Sequence, residues 1–150
     1  MSVLNKIDAR ILRELKFNGR ISNAELANRV GLSASACLRR VQELERSNTI
    51  KGYRAVLNQT QLGIGCVAYV TVGLSSHTKD AQLEFESAIT LSEEVKECHN
   101  ITGPFEYLLR VETTDLVSYK KFHTDVLGTS AHVASITTHV VMGSPKDDRA

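Results

Sequence analysis

No apolar run in this 150-residue chain approaches the roughly 20 residues of a membrane-spanning helix. The opening stretch MSVLNKIDAR shows no apolar segment behind a basic start, so it offers no leader signature and the expected location is the cytoplasm. Cysteine is sparse as well. Cys37, Cys66 and Cys98 are odd in number, widely spaced and free of any CxxC pair, which argues against a disulfide framework or a zinc knuckle and for reduced structural thiols. No Ser/His/Asp set, paired carboxylates or glycine-rich phosphate loop is visible, so the sequence offers an enzyme no chemistry. His99, His123, His132 and His139 lie near Cys98 in the same half, but neighbours on a strand point to opposite faces, so Cys98 and His99 do not suit one ion. No metal and no cofactor are expected.

What is present is the composition of a folded protein, with 42% hydrophobic and 23% charged residues. The length suits one ordinary domain or two small ones. The net charge of +1 conceals a split: residues 1–60 hold 11 Lys+Arg against 5 Asp+Glu, and residues 61–150 hold 7 against 12. A basic part joined to an acidic part suggests that the first meets a polyanion.

The basic part carries the stretch SNAELANRVGLSASACLRRVQEL at residues 22–44. Ser22 with Glu25 is a capping-box signature, and Leu26, Ala27 and Val30 give an apolar face at helical spacing. Gly31 suits the left-handed conformation that ends a helix, and Ser33 is a good cap for the next one. There Cys37, Val41 and Leu44 share a face with Leu38 beside them, opposite Ser35, Arg39, Gln42 and Arg46. This is the pattern of a helix-turn-helix, whose second helix enters the major groove, although an ordinary helical hairpin with a solvated basic face has the same periodicity. A preceding helix over residues 5–18, capped by Asn5, ended before Gly19 and striped by Ile7, Ile11, Leu12 and Leu15, completes a tri-helical core.

Past a polar break at 45–49, residues 50–57 (IKGYRAVL) read as a short strand and 58–65 as a linker or hinge. From Cys66 the period changes to two. A strand CVAYVTVGL, a helix over 78–90 with Ala81, Phe85, Ala88 and Ile89 inward, a strand over 95–102, a Gly103-Pro104 turn and a strand over 107–113 follow. Thr114 then caps a helix over 115–127 with Leu116, Tyr119, Phe122 or His123, and Val126 inward, and residues 133–142 form the last strand. The order β-α-β-β-α-β is that of a ferredoxin-like sandwich. The helices cover one sheet face, and the partly apolar other face suggests a dimer, which suits a module reading two half-sites. The expected class is thus α+β, with a helix-turn-helix (winged-helix-like) domain at 1–50, a strand and linker at 51–65, a ferredoxin-like domain at 66–143 and a polar tail at 144–150.

The segments IDARILRELKFNGRISNAELANRVGLSASACLRRVQELE (7–45), IKGYRAVLN (50–58) and TGPFEYLLRV (102–111) closely resemble the Lrp/AsnC family of transcription regulators. The resemblance covers nearly the whole chain. It implies binding of double-stranded DNA by the first domain, and dimerisation of the second with further assembly into tetramers or octamers. It also implies a small-molecule effector, an amino acid in most members, bound in the second domain and coupled to assembly and DNA affinity. DNA contacts carry over to Ser33, Ser35, Arg39 and Arg40, with Arg46 and Lys51 toward phosphates. Effector contacts carry over to the loop Thr102, Gly103, Pro104, Phe105, Glu106 and Tyr107 and to Thr137. Two departures stand out. Glu106 replaces the usual aspartate and is one methylene longer, and Ala131-His132-Val133 replaces a Pro-Gly-Val step.

Other readings predict different observations. A haem- or sirohaem-processing enzyme on the same scaffold predicts a haem absorbance band and is opposed by the intact basic helix. An effector-independent architectural DNA-binding oligomer predicts a mass that no amino acid changes. A sensor that ignores DNA is opposed by the positive charge of residues 1–60.

Overall fold

The computed structural model describes residues 5–147, so the first four positions of the expected DNA-binding domain and the last three of the expected tail lie outside the described residues. The chain divides into two compact units between Val56 and Leu57.

In the first unit, α1 (Lys6–Phe17), α2 (Asn23–Val30) and α3 (Ala34–Arg46) each begin on the side chain the sequence offers. Asn5 Oδ1 accepts from the amides of Ile7 and Asp8, both at 2.9 Å, Ser22 Oγ from Glu25 and Ser33 Oγ from Ala36. The capping box at α2 is half formed, because the Glu25 carboxylate turns to Arg29 at 2.6 Å instead of back to the cap. Gly31 sits at φ 74°, and the Leu32 amide bonds back to the Ala27 carbonyl at 2.9 Å, a left-handed stop that glycine adopts without strain. Ile11, Leu26, Ala27, Val30, Cys37 and Leu44 form the buried core, and Ile7, Leu12, Leu15, Val41 and Ile50 pack against it. Leu38, expected beside that face, is 47% exposed.

Residues 50–57 form no strand. β-formers need a ladder, and none of the described strands pairs with this segment. The stretch expected as a linker or hinge holds turns at 59–63: Asn58 Oδ1 accepts from the Gln61 amide, Gly63 takes φ 77°, and Gln59 Nε2 donates to Glu112 Oε1 at 2.7 Å.

The second unit is a four-stranded antiparallel sheet in the order β2-β3-β1-β4, built from β1 (Cys66–Leu74), β2 (Val95–Asn100), β3 (Tyr107–Thr113) and β4 (Val133–Val140). This is the expected ferredoxin-like arrangement. Alternation along β1 buries Cys66, Ala68, Val70 and Val72 beneath α4 (Lys79–Thr90) and α5 (Leu116–Phe122), together with Phe85, Ile89, Tyr107, Leu109, Tyr119 and Phe122. The opposite face carries Val67, Tyr69, Thr71 and Gly73 of β1. Beside them lie Leu108, the Arg110–Glu112 ion pair, Thr137 and His139. A register shift in the β1–β4 pairing falls between Gly73 and Leu74.

Three further expectations shift. Ala88 is exposed on α4, since Phe85 and Ile89 already fill the contact. The cap of α5 is Asp115, whose Oδ1 accepts from Ser118 at 2.7 Å, and Leu116 at 60% exposure stands outside. After Phe122 the helix widens into a π-turn over His123–Leu127. Val126 packs against the core as expected but is only partly buried, and the extra residue brings Leu127, fully buried, in beside it.

Candidate functional site

The outward face of α3 is the first candidate site. Ser33 and Ser35 are exposed at its start with their hydroxyls 3.4 Å apart, although the Ser33 oxygen is already engaged as the helix cap. Arg39 is exposed and its side chain has no partner among the described residues. Arg40, its neighbour, is about 100° around the helix and faces inward: Nη1 donates to Asp8 Oδ1 of α1 at 2.7 Å, with the two side chains 31% and 20% exposed. Arg40 is therefore a tie within the three-helix frame and leaves the set of outward contacts. Arg46 is exposed and forks onto Glu43 through Nε and Nη2 at 3.0 and 2.8 Å, and that hydrogen bonding holds the Glu43 carboxyl below its usual range. Lys51 is exposed beyond the helix. The face thus offers a free guanidinium, two hydroxyls and the exposed apolar Leu38, which a reading by periodicity assigned to the core.

The second candidate site is the end of the sheet where the β2–β3 loop meets the bulge in β1. Thr102, Gly103 and Pro104 are exposed at the loop tip, with Gly103 at φ 120°. Glu106 is fastened along its backbone, its amide donating to Val72 at 3.1 Å and its carbonyl accepting from Ile101 at 2.8 Å. Its carboxylate, 16% exposed, accepts the Leu74 amide on Oε2 at 2.7 Å and lies 3.0 Å from His77 Nδ1 through Oε1. The extra methylene relative to aspartate is what lengthens the arm that reaches this amide. Gly73 lies alongside. A Cβ there would fall 2.3 Å from Ser135 Oγ, 3.6 Å from Glu106 Oε2 and 3.7 Å from the Phe105 ring. Ser135 pairs with Gly73, and Thr137 is exposed two residues along the same face of β4.

Tyr107 does not join this cluster. It points to the helix side, 1% exposed, with its ring 4.7 Å from Phe85 and its hydroxyl donating to Glu86 at 2.6 Å. Burial first and that hydrogen bond second push its phenol up to about 12. It is a core residue. Gly73, His77 and Ser135 were not singled out from the sequence, and the one signal present was a glycine inside a strand, which marks a bulge or a close approach. The Ala131-His132-Val133 turn forms without glycine: its φ angles are not positive, and the His132 carbonyl accepts from the Ser75 amide at 2.8 Å. Cys98 and His99 pair with Leu109 and Leu108, so their side chains leave β2 on opposite faces.

Comparison with known proteins agrees with this geometry. Residues 4–51 match the family described as winged helix-turn-helix DNA-binding, and residues 67–150 match the Lrp/AsnC ligand binding domain. The chain is 41% identical over 143 residues to the leucine-responsive regulatory protein of Escherichia coli, covering 95% of this chain and 87% of that protein. Among solved structures it resembles a transcriptional regulator of Neisseria meningitidis in complex with L-methionine, at a TM-score of 0.92 and 34% identity, covering 97% and 94% of the two chains. It also resembles the feast or famine regulatory protein of M. tuberculosis complexed with L-methionine, at a TM-score of 0.84 and 29% identity, covering 99% and 98%. The protein belongs to the Lrp/AsnC family of transcriptional regulators, with a helix-turn-helix DNA-binding segment followed by a ligand-binding domain.

Proposed function

We propose that the protein is a sequence-specific regulator that reads duplex DNA through α3 and senses an amino acid at the Glu106 cluster. Residues 1–50 are assigned to DNA binding, 51–65 to the connection, and 66–143 to effector binding and assembly. The observation that carries the reading is Glu106, a well-sheltered carboxylate with one oxygen held by a backbone amide and the other turned toward solvent-exposed His77. A carboxylate so fixed is a natural partner for an α-ammonium group. Thr102, Gly103, Pro104, Phe105 and Thr137 are assigned to the same site, and methionine is the first effector to test, because two structural relatives were solved with it.

For DNA, Arg39 with Ser35 is assigned to the groove, and Arg46 and Lys51 to phosphates, Arg46 after exchanging Glu43 for a phosphate oxygen. The open sheet face, partly apolar between Val67 and Leu108, is assigned to a homodimer, and higher assembly follows from it. Cytoplasmic placement belongs to the same reading, since no described helix is long and apolar enough to cross a membrane. No enzymatic activity, metal or cofactor is assigned.

The test begins with selection of bound sequences from random duplexes, followed by light scattering and DNA titration at several salt concentrations, each with and without L-methionine and the other standard amino acids. DNA affinity is expected to fall steeply with salt as phosphate contacts release counterions. Arg39→Ala is expected to weaken the selected site by about 1–3 kcal/mol. An amino acid is expected to shift mass or affinity in the wild type and not in Glu106→Gln. A mass and affinity that no amino acid moves leave a constitutive architectural DNA-binding oligomer.

A further inference from the structure

We propose that His77 is a built-in competitor for the effector's ammonium group, occupying Glu106 Oε1 until the ligand displaces it. The inference rests on the assignment of Glu106 as the amino-acid carboxylate anchor. Its geometric basis is a difference between the two oxygens. Oε2 is bound to the Leu74 amide at 2.7 Å, inside the bulge that Gly73 and Ser135 create, and that bond is part of the frame. Oε1 has as its partner the His77 ring at 3.0 Å, and that ring is 76% exposed whereas the carboxylate is 16% exposed. A ligand cation that approaches from solvent therefore finds the fixed oxygen taken and the outer oxygen held by a side chain that has room to leave.

The backbone of the same loop is firm. Ser75 donates to His132, and Thr78 caps α4 by accepting from Ala81 at 3.3 Å. Displacement thus moves the imidazole alone and leaves the loop in place. The imidazole lies against a carboxylate oxygen in the free protein, and an α-ammonium brings a donor with a full positive charge to that same oxygen, so Glu106 keeps a neighbour there after the exchange. His77 then sets affinity without contacting the bound ligand, which makes it a tuning residue of the site.

Isothermal titration of the full-length protein tests this with L-methionine as probe and, where it gives no heat, the remaining standard L-amino acids. His77→Ala is expected to bind up to about fivefold tighter than wild type, the equivalent of about 1 kcal/mol for an exposed pair. His77→Lys, which places a permanent cation at the same spot, is expected to bind weaker by a similar factor. The α-hydroxy analogue of methionine, which has no ammonium, is expected to show neither effect. Changes equal for the amino acid and its hydroxy analogue, or His77→Ala binding no tighter than a wild type that does bind, overturn the competitor role and leave the amino-acid site standing. Absence of binding by every standard amino acid to wild type and His77→Ala alike overturns the Glu106 assignment, and the competitor with it.

Discussion

Arg40 of α3 and Asp8 of α1 meet at 2.7 Å, so the helix that carries the outward Arg39 is pinned to the first helix of the unit by its own adjacent arginine. The two side chains are only partly shielded, at 31% and 20% exposure, so the tie contributes a modest amount. Arg40→Ala and Asp8→Ala are each expected to lower stability by about 0.5–1 kcal/mol, with the double variant no worse than either single one. Chemical denaturation of the four proteins measures the coupling. DNA affinity well below the melting temperature is expected to change little in Arg40→Ala. A large loss of affinity with unaltered stability would return Arg40 to the DNA-contacting set.

Gly73 supplies the second prediction. A Cβ at this position would stand 2.3 Å from Ser135 Oγ, closer than any stable contact, so the exposed serine must leave its present rotamer to make room. Gly73→Ala is expected to cost about 0.5–1.5 kcal/mol, the scale of a displaced side-chain rotamer. Combining it with Ser135→Ala removes the clashing hydroxyl and is expected to recover much of the stability. Thermal melts of the two variants decide whether the glycine is there for space.

The π-turn supplies the third. Regular helical spacing from Tyr119 and Phe122 points Val126 into the core, where it is partly buried, and the extra residue of the His123–Leu127 turn adds Leu127, fully buried. Leu127→Ala is expected to destabilise by about 2–5 kcal/mol, and Val126→Ala by clearly less. Equal losses would mean that an ordinary helical register persists through this stretch.

These residues also mark where the sequence is legible and where it is not. Ser22, Gly31 and Ser33 announce the helix-turn-helix because caps and left-handed stops depend on neighbours within a few positions. The alternation from Cys66 to Leu74 announces a strand with one buried face for the same local reason. Leu127 escapes such a reading, since a π-turn arises from how α5 must settle on the sheet. The orientation of Arg40 depends on Asp8, 32 residues away. The cluster around Glu106 draws on Leu74, His77 and Ser135 from separate elements, and only Gly73 hints at it. The segment 50–57 has the composition of a strand but no partner among the described strands to complete a ladder, and composition does not supply one.

The last prediction concerns alkaline pH. Tyr107 donates to Glu86 at 2.6 Å, and burial first and the carboxylate second push its phenol up to about 12 from an ordinary value near 10, whereas Tyr53, which donates to Glu45 at 2.8 Å, is half-exposed. The fold favours the protonated Tyr107 phenol. The contribution of the buried Tyr107 is therefore fully present below the ordinary value and is lost as pH rises from about 10 through about 12. Titration of phenolate absorbance is expected to show a late-ionising group in the folded protein that ionises near 10 once denaturant is added. Glu86→Gln removes the charge that opposes ionisation of Tyr107 but not its burial, so that phenol is expected to move part of the way back. Tyr53 lies in the other unit and is expected to be unchanged by that substitution. A Tyr107 phenol that titrates in the folded protein as it does in the unfolded chain would show that Glu86 does not hold its tyrosine in solution.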